Sequence, residues 1–165
     1  MKILVAGVGN IFLGDDGFGV EVAQSLSKRQ VPETVTVKDF GIRGFDLAYA
    51  LLDPWDGVII VDALPRNSAP GTLYVIEPDR SVAEADINPH GMDPVRVLNL
   101  AASLGTITAR VLVLGCEPQD FGDELEGRMG LSSPVQAAVE EACHTIVELA
   151  VNWRANSTQL ETVER

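Results

Sequence analysis

The sequence predicts an α/β fold: a three-layer α/β/α sandwich around a mixed, mostly parallel five-stranded sheet. Two observations lead there. Short β-branched runs alternate with longer segments of helical periodicity. The run Val58-Ile59-Ile60-Val61 is also apolar throughout, as a central strand covered on both faces would be. With 165 residues the chain can bury one substantial core, and neither a repeat nor a linker divides it. Residues 1–155 are expected to form a single domain, and the polar residues 156–165 a disordered tail.

The elements follow in order. Ile3 to Ala6 reads as the first strand. A helix from Phe18 to Lys28 carries Val20, Val22, Ala23 and Leu26 on its apolar face. Val35 to Asp39 reads as the second strand, Phe45 to Leu52 as a short helix, and Val58 to Asp62 as the third strand. The fourth, Thr72 to Glu77, follows after only residues 63–71, which hold Pro65, Asn67, Ser68 and Pro70. A parallel crossover needs about a dozen residues or more, so this strand should run antiparallel to its neighbour. Asp93 caps a helix with Pro94 in its first turn, running to Leu104. Arg110 to Leu114 is the fifth strand. The last helix opens at Ser133, Pro134 and Gln136, a capping-box pattern, and keeps apolar spacing from Val135 to Trp153.

Composition narrows the function. A formal net charge of −12 and the absence of any Lys/Arg-rich run argue against nucleic acid. No apolar stretch approaches the ~20 residues of a membrane span, and the opening lacks the long apolar core of a secretory signal. Cys116 and Cys143 are expected as free thiols, and the compartment as the cytoplasm.

Gly7-Val8-Gly9 after a strand invites a dinucleotide-binding reading. That motif requires a third glycine three residues on, where this chain has Phe12. Asp39, at the end of the second strand, is the one feature that favours a ribose partner.

The next segment, Gly14-Asp15-Asp16-Gly17, places two carboxylates between glycines just before a helix. Helix capping would explain one of them; a ligand-facing role would explain the other. Asp62 ends the buried third strand, where open α/β sheets bind ligands, although loop capping is the alternative. Asp16 and Asp62 should face one crevice if their strands are neighbours. His90 lies in a loop rich in turn residues, Asn88 to Pro94. His144, among Glu140, Glu141 and Glu148, reads as part of a solvated helix face. Two carboxylates and one imidazole suit a divalent metal, and imidazole suits nickel and zinc better than magnesium or calcium.

These residues, in this order, resemble the hydrogenase maturation endopeptidases, which trim the C-terminal tail of nickel–iron hydrogenase large subunits. The resemblance spans about residues 1 to 150. It rests on Gly7-Val8-Gly9-Asn10 with Gly14-Asp15-Asp16, on Val61-Asp62-Ala63, and on Pro89-His90. It implies Asp16, Asp62 and His90 as nickel-binding positions, with the nickel carried by the protein substrate, a hydrogenase large-subunit precursor. Asp39, with Gly41 and Gly44, resembles a further segment involved in activity, which makes Asp39 a candidate catalytic residue. Family members often carry Glu where Asp16 stands, and Gly and Thr where Phe40 and Ile42 stand.

No built-in nucleophile is visible. There is no Gly-x-Ser-x-Gly elbow and no His-Glu-x-x-His helix, and neither cysteine has a histidine nearby in sequence. Two other readings use the same residues. One is an autonomous metallohydrolase with its own metal and a small amide or ester substrate. The other is a non-catalytic nickel checkpoint or chaperone.

Overall fold

The computed structural model describes residues 1–79 and 93–155. Among these, β1 (Ile3–Val8), β2 (Val35–Gly41), β3 (Gly57–Ala63), β4 (Leu73–Ile76) and β5 (Arg110–Cys116) form one sheet. Its order is β2-β1-β3-β5-β4, with β4 antiparallel to β5 and the other pairings parallel. The short connection after β3 leaves no room for a helical crossover, so the chain turns back and β4 lands beside β5 as an edge.

Helices α1 (Phe18–Ser27), α2 (Gly44–Ala50), α3 (Pro94–Leu104) and α4 (Ser133–Val151) are the described α-helices. Side-chain alternation along the strands divides the core in two. Ile3 and Val5 of β1, with Ile59 and Val61 of β3, pack against α1 and α4 through Phe18, Val22 and Ile146. Leu4, Ala6 and Val8, with Val58 and Ile60, pack on the other face against α2 and α3 through Leu47, Leu51 and Val97. The expected α/β/α sandwich is therefore what the chain forms. No helix among the described residues is long and apolar enough to cross a membrane.

The differences from expectation lie at the element ends. β1 and β5 each run two residues further than their apolar runs suggested, because Val8 still pairs with Gly41 and Cys116 with Ala63. Gly14–Gly17 forms a turn of 3-10 helix that the sequence pattern did not signal. The capping box at Ser133 and Gln136 is not made. Ser132 is the N-cap of α4, without a side-chain cap bond, because its hydroxyl donates to Asp15 instead. The tail expected to be disordered, 156–165, lies outside the described residues, as does His90.

Candidate metal centre

From β1 the chain goes to β2 on one side of the sheet and later to β3 on the other, so the strand order reverses between β1 and β3. A crevice opens beyond the carboxyl ends of strands at such a point. Gly9 begins the loop after β1 with φ of 132°, and a Cβ there would lie 1.8 Å from the Asp16 carbonyl oxygen. A side chain at position 9 would therefore push the Asp16 turn outward. The close helix–strand packing sought at position 12 is supplied by Gly19. A Cβ on Gly19 would sit 2.0 Å from the carbonyl oxygen of Val61 and 2.4 Å from that of Val8. Two bare backbone positions thus bring the start of α1 down onto β1 and β3.

That packing carries Asp16 to Asp62. Asp16 is buried, and its carboxylate accepts a hydrogen bond from the Asn10 N–H at 2.8 Å. Asp62, the last residue but one of β3, is also buried and accepts from the Ala63 N–H at 2.8 Å. Burial raises the Asp16 carboxyl above its ordinary range, opposed by the Asn10 donor. Burial raises Asp62 much further, and the neighbouring charges of Asp16 and Asp93 add to it. Among the described residues no ion pair reaches either carboxylate. Two buried acids that repel one another without a counter-charge favour a cation between them.

Asp15 has a different role from its neighbour. It is fully buried and accepts four hydrogen bonds: from the N–H groups of Gln119 at 2.8 Å, Asp120 at 3.0 Å and Ser132 at 2.7 Å, and from the Ser132 hydroxyl at 2.8 Å. Burial would raise its carboxyl, but these donors outweigh it and hold the group below the ordinary value. Neither Asp15 nor Asp16 makes a side-chain cap bond to the turn or to α1. The capping reading of the pair is thereby corrected: Asp15 clamps the segment after β5 onto the loop after β1.

Asp39 stands exposed at the carboxyl end of β2, in register with Gly7. Its main-chain carbonyl accepts from the Arg43 guanidinium, which also donates to the Phe40 carbonyl at 3.2 Å. Asp93 caps α3 as expected, accepting from the Val95 N–H at 2.9 Å. Its charge also reaches Asp62, a role the sequence reading did not assign. Glu117 was missed altogether. It is buried directly after β5, where it accepts from the Arg66 N–H at 2.7 Å and the Tyr74 hydroxyl at 2.8 Å, pinning the loop after β3. The signal was an acid closing an apolar strand, the same one that marked Asp62.

The structure therefore brings Asp16 and Asp62 together, with Asp93 at the edge. No group of three His, Cys, Asp or Glu converges to enclose an ion among the described residues. His144 faces outward and pairs with Glu140 at 3.2 Å, as its helix position suggested. Cys116 and Cys143 are free and buried, and burial pushes the Cys116 thiol up to about 12. Neither has the thiolate character of a nucleophile at neutral pH.

The family model for hydrogenase maturation protease (HycI) matches residues 20–149. The hydrogenase 2 maturation protease of Escherichia coli is 31% identical over 151 residues, covering 89% of this chain and 89% of that protein. A putative hydrogenase maturation protease of Methanocaldococcus jannaschii is 32% identical over 148 residues, covering 88% of this chain and 94% of that protein. Among solved structures, the hydrogenase maturating endopeptidase HybD from Escherichia coli superposes with a TM-score of 0.76 at 29% identity, covering 94% of each chain. The chain is a peptidase of the hydrogenase maturation protease family.

Proposed function

We propose that this peptidase removes the C-terminal tail of a nickel-loaded [NiFe] hydrogenase large-subunit precursor, and that nickel in the precursor is the element it recognises. The observation that carries the reading is the juxtaposition of Asp16 and Asp62, two buried acids at the strand-order reversal with no basic partner among the described residues. Two carboxylate oxygens and an imidazole from His90 form a donor set that suits nickel. His90 enters from sequence position, three residues before the Asp93 cap, since it lies outside the described residues.

In this reading the nickel belongs to the substrate and orients the tail, polarising the scissile carbonyl next to it. The chain's own residues do the rest. Asp16 and Asp62 hold the precursor's metal site against the crevice. Asp39, exposed at the carboxyl end of β2, is the candidate to take a proton from the attacking water. With both thiols buried and neutral, water is the nucleophile this site can use.

The test is processing by two variants. His90→Ala and Asp62→Asn should leave the fold intact, by circular dichroism, and should give no shortened product from nickel-loaded precursor. Asp39→Asn should slow cleavage with precursor binding retained. Full processing by either of the first two variants would overturn the site assignment.

A further inference from the structure

Beyond the acid pair, the carboxyl end of the sheet carries an apolar surface. Eleven large hydrophobic side chains are exposed among the described residues, and six of them lie on three short segments there: Ile11, Phe12, Ile42, Phe45, Leu125 and Met129. These are well exposed: Phe12 is 60% accessible, Phe45 66%, Met129 65% and Leu125 96%. Backbone contacts join the segments. The Gly9 N–H donates to the Gly41 carbonyl at 2.9 Å, tying the loop after β1 to the corner after β2. On its other side, the Arg128 N–H donates to the Phe12 carbonyl at 2.7 Å, and the Gly14 N–H to the Arg128 carbonyl at 2.9 Å. The Asp15 clamp fixes the base of the same segment. The three segments, tied by these backbone bonds, form a rim beside the crevice whose apolar side chains stand in water.

The rim is also acidic. Residues 9–13, 39–46 and 120–129 hold six exposed acids, Asp39, Asp46, Asp120, Asp123, Glu124 and Glu126, against two exposed bases, Arg43 and Arg128. Both bases are already occupied: Arg43 pairs with Asp46 at 3.6 Å, and Arg128 pairs with Asp120. Exposed apolar side chains rimmed by charge mark an interaction surface, and a field of one sign selects a partner of the other.

We infer that this rim is the seat for a polypeptide segment of the precursor that is apolar and positively charged, lying next to the bond to be cut. The inference rests on the function proposed above and adds the chemistry of the substrate's flank. Apolar contact with the rim supplies affinity that nickel alone would not discriminate. The acids supply attraction and orientation before the metal site engages.

The experiment measures Kd and KM for purified nickel-loaded large-subunit precursor with the full chain. Its variants are Phe12→Ser, the double variant Leu125→Ser/Met129→Ser, Glu126→Lys, and the control Val151→Ser. Val151 is exposed at the far end of α4. The main-chain bonds of Phe12 survive loss of its ring, so the fold should hold, with melting temperature as the check. Phe12→Ser and the double variant should raise Kd and KM about tenfold or more with kcat little changed. Glu126→Lys should weaken binding and flatten its dependence on salt, while Val151→Ser should match the parent. If the parent cleaves the precursor and the rim variants bind it within twofold of the parent, the seat is wrong and the function stands. A parent that neither binds nor cleaves the precursor overturns both.

Discussion

Asp15 and Ser132 are 117 positions apart, yet the carboxylate takes both the backbone N–H and the hydroxyl of Ser132, at 2.7 and 2.8 Å. With Gln119 and Asp120 also donating to Asp15, one buried side chain fastens the segment after β5 to the turn that holds Asp16.

Asp15→Asn should cost about 2–4 kcal/mol, because a charged acceptor of several buried donors is lost. The pH dependence has a definite sign. The folded carboxyl lies below the ordinary value of 3.8. Its contribution is therefore complete above about pH 4 and disappears as pH falls through the folded value. Urea melts of parent and variant between pH 3 and 7 should show a gap that is constant at the upper end and narrows at the lower. A gap independent of pH would contradict the charge-assisted clamp.

Asp62 behaves in the opposite sense. Burial and the charges of Asp16 and Asp93 raise its folded carboxyl well above 3.8. The folded chain thus keeps a proton that the unfolded chain has lost, and stability declines as pH rises from about 4 towards the folded value. Asp62→Asn retains an oxygen for the Ala63 N–H and removes the repulsion. The metal-free variant should melt a few degrees above the parent at pH 7, at roughly 2–4 °C per kcal/mol for a domain of this size. It should be inactive all the same. Thermal melts in the presence of a chelator decide it, and a variant that melts lower would show that the two acids are not strained against each other.

The cysteines should be bystanders. Cys116 is buried with its thiol pushed up to about 12, and Cys143 is raised as well, again by burial first. Iodoacetamide at pH 8 should leave the native protein unlabelled, as read by intact mass, and label it on unfolding. Cys116→Ala should process precursor at the parent rate. Rapid native labelling accompanied by loss of activity would point to a thiol nucleophile.

Much of this molecule is legible in its sequence, for reasons that particular residues make plain. The run ending at Asp62 identifies a strand covered on both faces and a carboxylate at its mouth, and the short link before β4 dictates its antiparallel course. What stayed hidden is non-local. The donors to Asp15 lie 104 to 117 residues away, so no window around Gly14–Gly17 could separate its role from that of Asp16. Ser132 and Ser133 are equivalent capping residues by type, so the sequence could not show that the N-cap is Ser132, one residue before the expected Ser133, with its hydroxyl committed to Asp15. Gly19 performs the close packing that a glycine at position 12 would perform in a dinucleotide site, so the failed spacing rejected the ligand without revealing the contact.

The central claim is that precursor nickel is read by Asp16, Asp62 and His90. Its most direct test mixes the protein with matched nickel-loaded and nickel-free large-subunit precursors and follows the products by mass spectrometry. The account predicts loss of a C-terminal peptide from the loaded precursor alone. Equal cleavage of both forms would contradict it.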